Sequence, residues 1–476
     1  MFTPNAPFRL GKTKQLHFVG IGGIGMSGIA ELLLRYGYRI TGSDVRATEI
    51  TERLKQLGAR IMYGHRAENI ANADVVVRSS AIKDDNIEIV AAKKLGIPII
   101  RRAEMLYELT RMKYSITVAG THGKTTTTSM LGMILTEAGV KPTLIIGGVV
   151  RNFNSTTVPG DSNYIVVEAD EYDRSFLALS PIIAGITNIE PEHMDCYPTL
   201  DDLEDAFLQY ANKVPFLGLI VACLDDRNVQ KLLPKFEKRV CTYGLNPEAK
   251  IRGEDIVFQD FTTRYNFICN NKMLGDIYLQ LPGMHNVRNS LFAAAVALEL
   301  EIPFEKIRSG LAKFNGVYRR FERKGFIDDI LVYDDYAHHP TEIAATLQGI
   351  KNDCDRRIIA VFQPHLYSRT QRFYREFADA LSIADIFVVT DVYPAREIPI
   401  PDVTGRLVVD TAIEKGNLNC LYIRDKAKIP ETLMQITKPG DIVITMGAGD
   451  IYKGGERFVE LLKQRKSDIH KVQKKI

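Results

Sequence analysis

At 476 residues, with 45% hydrophobic and 25% charged side chains, the chain exceeds one ordinary core, and three domains of common size are expected. The formal net charge of +3 is small for this length, so nothing calls for a nucleic-acid or membrane partner. The basic stretch from Lys463 to Lys475 reads as a solvated helix end. Six cysteines without a C-x-x-C pair argue against a zinc site and a disulfide framework, and for a reducing compartment. The start lacks a signal-type apolar core, and no apolar run reaches the roughly 20 residues of a membrane span, so the expected location is cytoplasmic.

The first unit, 1–112, opens with a strand at 16–19, a glycine run and an apolar-periodic helix at 24–36. A strand at 39–41 runs into Gly42-Ser43-Asp44, and strands at 75–77 and 97–100 flank a helix at 87–95. Such alternation predicts a parallel, doubly wound sheet. The second unit, 113–317, has a buried strand at 115–119, a glycine turn and a helix at 125–138. Apolar strands at 164–168 and 182–187 follow, then an antiparallel patch at 250–281 and a helix at 286–300. The third unit, 318–476, alternates strands at 330–333, 357–362, 386–390 and 441–445 with amphipathic helices. The expectation is three α/β domains in series.

The stretch Gly120-Thr121-His122-Gly123-Lys124-Thr125-Thr126 sits where a strand hands over to a helix. Backbone N–H groups and the helix N-terminus there converge on an anion-sized hollow. Lys124 can reach a terminal phosphate, and the Thr125 hydroxyl can hold Mg²⁺. Val118 stands where the full motif has its first glycine, so this is a shortened phosphate loop; the bland alternative is a glycine turn with an incidental lysine. The run Gly20-Ile21-Gly22-Gly23-Ile24-Gly25, with Asp44 ending the next strand, reads as a site for a diphosphate with an acidic ribose partner. That geometry suits NAD or a UDP-sugar alike, and tight strand–helix packing alone would also produce it.

Carboxylates and a histidine cluster after two strands, in Glu168-Ala169-Asp170-Glu171 and Asn188-Ile189-Glu190-Pro191-Glu192-His193. At the carboxyl ends of parallel strands they would lie beside the phosphate loop and could ligate Mg²⁺, although solvated acidic loops look the same. In the third unit Asp334-Asp335-Tyr336-Ala337-His338-His339 and Gln363-Pro364-His365-Leu366-Tyr367-Ser368-Arg369 also follow strands. Paired histidines on a loop are often structural, and Arg319-Arg320 could bind phosphate, stack on a base or form a charged hinge.

GTHGKTTT, VEADEYDRSFL, TNIEPEHMD, PGMHNVRNS, YRRFE, DDYAHHPTE and FQPHLYSRT occur in the order seen in the Mur ligases of peptidoglycan synthesis, which the chain resembles from Gly20 to about Asp450. The resemblance implies a Rossmann-like N-terminal domain binding UDP, a P-loop-type central ATP-binding domain and a Rossmann-like C-terminal domain carrying the incoming amino acid. It implies substrates UDP-N-acetylmuramate and L-alanine, ATP and Mg²⁺ as cofactors, and a monomer or homodimer. By the same resemblance Gly22, Gly23, Ile24, Gly25, Asp44, His65, Ser79 and Ser80 would line the UDP-sugar site. Gly120 to Thr126 would wrap the ATP phosphates, Thr125, Glu168 and His193 would hold the metal, and Asn286 and Asn289 would face adenine. Arg320 and Asp335 would lie near the ribose and phosphates, and Tyr336, His338 and Arg369 would approach the amino acid. Some relatives carry arginine where this chain has Leu366, which leaves carboxylate recognition to Arg369 or another group, and Lys213 is too distant from the HMD motif for a carbamylated lysine.

The implied chemistry makes the sugar acid an acyl phosphate, with Lys124 and Mg²⁺ neutralising charge and His338 as the candidate base for the amine. Closure of the third domain over the second is expected, because water would destroy the acyl phosphate. Three other readings stay open: a ligase of the same family adding a recycled peptide, an NAD-dependent oxidoreductase built on Gly20 to Gly25, and a nucleotide-binding regulator without chemistry.

Overall fold

A computed structural model describes residues 13–79, 81–193, 196–395 and 397–473. Three sheets succeed one another along the chain. The first contains β1 (Gln15–Val19), β2 (Arg39–Asp44), β3 (Arg60–Tyr63), β4 (Val75–Arg78) and β5 (Ile99–Arg101), in the order β3-β2-β1-β4-β5 and parallel throughout. Strand order reverses between β1 and β4, so their carboxyl ends open the crevice where such sheets take ligands. Phe18, Ile21, Ile29, Leu33 and Ile40 bury this sheet against helix Ile24–Arg35. Strand β2 runs through Gly42-Ser43-Asp44, three residues beyond the sequence expectation, and so carries Ser43 and Asp44 to the crevice.

The second sheet has ten strands: β6 (Tyr114–Ala119), β7 (Thr143–Val150), β8 (Ser155–Val158), β9 (Tyr164–Glu168), β10 (Ile183–Ile186), β11 (Leu219–Cys223), β12 (Val240–Gly244), β13 (Ile251–Gln259), β14 (Thr262–Cys269) and β15 (Lys272–Leu279). Their order is β15-β14-β13-β12-β11-β10-β6-β9-β7-β8. The central strand β6 lies between β9 and β10, parallel to both. Beyond β12, two-residue turns at Asp260-Phe261 and Asn270-Asn271 join β13 to β14 and β14 to β15, all four residues having positive φ. That is the backbone of tight hairpins and accounts for the frequent turns in this stretch.

The third sheet contains β16 (Glu322–Ile327), β17 (Ile330–Asp335), β18 (Ile358–Phe362), β19 (Ile386–Val389), β20 (Cys420–Tyr422) and β21 (Ile442–Met446), in the order β16-β17-β21-β18-β19-β20. Only the edge strand β16 is antiparallel to its neighbour. By packing, the chain forms two compact units. One is Met1–Asp255 with Asn266–Ile277 and Arg288–Phe314; the other is Ile256–Tyr265 with Tyr278–Val287 and Asn315–Ile476. Among the described residues no helix is long and apolar enough to cross a membrane.

Candidate active site

The phosphate loop lies between β6 and helix Lys124–Glu137, whose first-turn N–H groups have no intrahelical acceptor. Gly120 and Gly123 sit at φ +136° and +82°. A Cβ on them would meet Thr187 Oγ1 at 2.0 Å and Asn289 Oδ1 at 2.6 Å, so only glycine fits. Asn188, just past β10, grips the loop from both sides: its Oδ1 accepts from His122 N–H at 2.8 Å and its Nδ2 donates to the His122 carbonyl at 3.1 Å. Thr187 Oγ1 also donates to that carbonyl at 2.7 Å, and His122 Nε2 lies 3.3 Å from Glu190. Thr121 Oγ1 accepts from Glu190 N–H at 2.9 Å, and Thr126 is buried behind the loop.

Lys124 Nζ donates to both carboxylate oxygens of Glu171, at 2.8 and 2.9 Å, and to the Gly120 carbonyl at 2.5 Å. Burial alone would pull the lysine down, but Glu171, Asp170 and Glu168 around it hold the ammonium protonated, above the ordinary lysine range. Thr125 Oγ1 donates to Glu168 Oε1 at 2.9 Å, and Glu168 Oε2 accepts from Gly147 N–H at 2.7 Å. His193, at φ +55°, has Nε2 3.7 Å from Glu171, and the ligand atoms of Glu171, Glu192 and His193 lie within 4.8 Å of one another. This donor set fits Mg²⁺, an ion served by a hydroxyl and one or two carboxylates. Of the three expected metal residues, Thr125 and Glu168 touch; His193 joins Glu171 and Glu192 instead.

In the first glycine turn Gly22 N–H donates to Asp44 Oδ2 at 2.8 Å, so the expected ribose acid braces the turn. Gly23 N–H bonds the Gly20 carbonyl, Ile24 starts the helix, and Gly25 lies against the Arg102 guanidinium. His65 and Ser79 stand at the same crevice: His65 follows β3, and Ser79 N–H bonds Val19 at the end of β1. Ser80 lies outside the described residues. Beside the turn is a cavity of about 290 Å³ lined by Arg78, Ser79, Arg101, Arg102 and Tyr172. Asn289 sits over the phosphate loop, accepting from Thr127 Oγ1 at 3.1 Å, and Asn286 donates to the Pro282 carbonyl at 2.7 Å.

At the end of β17, Asp335 is buried, accepts from Ala337 N–H at 3.0 Å and from Thr346 Oγ1 at 3.1 Å, and is pushed by burial up to about 6. Arg319 and Arg320 both face the Tyr336 ring, at 4.9 and 5.2 Å. Arg319 also donates to Asp334 and to the Gly447 carbonyl, and Arg320 to Glu342 at 3.4 Å. His338 Nδ1 lies 3.0 Å from the Tyr336 carbonyl. A carbonyl only accepts, so Nδ1 carries a proton and Nε2 is the basic nitrogen of the neutral ring. His338 packs edge-on to Tyr336 and His365, and Arg369 Nη1 is 3.4 Å from His365 Nδ1. His338 and Arg369 thus flank His365, and Tyr336 packs on His338.

Reading the sequence missed the roles of Glu171, Asn188, Glu342 and His365. All lie in or beside quoted motifs; Glu171 and Asn188 meet their partners through pairing across the second sheet, whereas His365 meets Arg369 and Glu342 meets His338 at the four-residue spacing of a helix turn.

The model of the Mur ligase family catalytic domain matches residues 15–114, that of the Mur ligase middle domain 118–297, and that of the Mur ligase glutamate ligase domain 319–449. The chain is 51% identical over 453 residues to a UDP-N-acetylmuramate–L-alanine ligase of Geotalea uraniireducens, covering 95% of this chain and 99% of that one. The crystal structure of a UDP-N-acetylmuramate–alanine ligase of Thermotoga maritima has a TM-score of 0.79 and 30% identity, over 95% of this chain and 99% of that one. A murein peptide ligase of Psychrobacter arcticus has a TM-score of 0.69 and 25% identity, over 94% and 98%. Phosphate loop, acid set and three-sheet frame together are those of an amide-bond-forming ligase. The chain belongs to the Mur ligase family.

Proposed function

We propose that this ligase uses ATP to join L-alanine to the carboxylate of UDP-N-acetylmuramate, in the cytoplasm, with 1–112, 113–317 and 318–476 as UDP-binding, ATP-binding and amino-acid-binding domains. The observation that carries this reading is the contact of Thr125 with Glu168 beside a lysine in a glycine-braced loop, on a chain half identical to a relative of that name. The sugar acid's carboxylate oxygen attacks the γ-phosphorus and ADP leaves. The amine then attacks the acyl carbon, and phosphate leaves from the tetrahedral adduct. Lys124 exchanges Glu171 for the γ-phosphate and holds its charge, while Asn188 and Thr187 keep the loop in shape. Mg²⁺, held by Thr125 and Glu168 with His193 and Glu171 nearby, would supply further positive charge to the phosphates. His338 Nε2 would take the ammonium proton, and Arg369 would bind the amino acid's carboxylate.

The test is phosphate release from ATP with UDP-N-acetylmuramate and L-alanine, glycine, L-serine or a tripeptide. Release greatest with L-alanine supports the reading. Preference for the tripeptide would move it to the peptide-recycling branch, and release indifferent to any amine would end it.

A further inference from the structure

In the first sheet, one carboxylate joins the middle of β1, the end of β2 and the segment after β3. Glu88, in the first turn of helix Ile87–Leu95, has a fully buried side chain turned into the sheet. Ser43 Oγ at the end of β2 donates to its Oε2 at 2.6 Å. Asn69 Nδ2 and Arg66 N–H reach its Oε1 at 2.5 and 3.2 Å. His65 Nδ1 and, from β1, His17 Nε2 stand 3.4 and 3.5 Å from Oε2. Burial would raise this carboxyl, but the His17 ring beside it and the donors Ser43 and Asn69 outweigh it and hold it at about 2.

An ionised carboxylate only accepts, so the Ser43 hydroxyl proton lies on the Glu88 side. Ser43 Oγ is also 3.0 Å from His65 Nδ1 and has only lone pairs left to offer there. Nδ1 must therefore carry a proton, and Nε2 becomes the nitrogen left for a ligand. His65 lies two residues past β3, at the carboxyl end of the sheet where the crevice opens.

We propose that Glu88 is a positioning residue for the sugar nucleotide: through Ser43 it sets the tautomer and orientation of His65, so that Nε2 accepts a hydrogen bond from an N–H or hydroxyl of the nucleoside half. The inference rests on the sugar-nucleotide reading above and assigns the work of that site to a residue that never touches the ligand.

Selective ¹⁵N-histidine labelling tests it in the full chain, with His65→Gln identifying the signal. The expected His65 spectrum has a protonated Nδ1 and a lone-pair Nε2 that shifts when UDP is added. The opposite tautomer would overturn the proposal. Calorimetric UDP titrations of Glu88→Gln and Ser43→Ala are expected to show affinity about tenfold weaker, with kcat at saturating sugar nucleotide changed less than about twofold. Equal affinity in either folded variant, with UDP binding intact in the unaltered chain, sinks this inference alone. Failure of the unaltered chain to bind UDP sinks the sugar-nucleotide reading with it. Should Glu88→Gln fail to fold, Ser43→Ala and the spectrum of the unaltered chain decide.

Discussion

The chain uses the strand–glycine–helix device twice, and the two copies are braced in opposite ways. At Gly20 to Gly25 the neighbouring strand delivers an acid, Asp44, onto a backbone N–H of the turn itself. At Gly120 to Thr126 the neighbouring strand end delivers a neutral amide, Asn188, onto His122, and the acids gather instead on Lys124 and Thr125. A carboxylate on the turn's own donor competes with a phosphate there. A neutral brace leaves the charge balance to a lysine whose counter-ion can be exchanged. On the reading proposed above, one architecture would thus serve a turn that frames the sugar nucleotide and a turn that takes up phosphate charge.

The largest expected effect comes from removing that lysine. Lys124→Ala should lower turnover by about 10²–10³, the scale of losing one electrostatic stabiliser; near-normal turnover in folded protein would erase the contrast between the turns. The second handle is acid. The Glu88 carboxyl stands at about 2 against an ordinary 4.5, so its stabilisation is full above pH 4.5 and is lost as pH falls toward 2. It contributes at most about 3 kcal/mol, and the stability gap between the unaltered chain and Glu88→Gln in denaturant titrations should close over that window. Third, Glu171→Gln leaves Lys124 buried with only Asp170 and Glu168 near its charge and should destabilise the nucleotide-free protein by about 3 kcal/mol, the low end for removing one partner of a buried pair. Mg·ATP should then raise its melting midpoint more than it raises that of the unaltered chain; an equal rise would mean that Lys124 does not exchange partners. The smallest effect is expected for Asn188→Ala, a KM for ATP about tenfold higher with kcat less affected, as for the loss of two hydrogen bonds to the loop.

Both turns were legible in the sequence because glycines between an apolar strand and an apolar-periodic helix are local signals. The buried strands β6, β9 and β10 were legible for the same reason. The short edge strands β3, β16 and β20 were not, since a half-exposed strand lacks a continuous apolar run. Helix Arg102–Arg111 escaped too, its few buried residues lying among charges. At the site, residue types were readable but partners were not. Glu171 meets Lys124 across 47 residues and Asn188 meets His122 across 66, and those meetings depend on β9 and β10 flanking β6. Asp44 was read as a ribose acid from the fingerprint; its bond to Gly22 needs the strand extension through Gly42-Ser43.

Leu366 stands at φ +71° and ψ 134°, a conformation that a side chain with a Cβ resists, immediately before helix Tyr367–Leu381. It is kept there by its N–H bonding the Tyr393 carbonyl and by Thr370 bonding its own carbonyl through both N–H and hydroxyl. A spring held by so few clips is the natural place for heat to open this part of the molecule. Amide hydrogen exchange at Leu366 should therefore run ahead of exchange in β18, and the pose of His365 and Arg369 should soften while the sheet behind them is still intact.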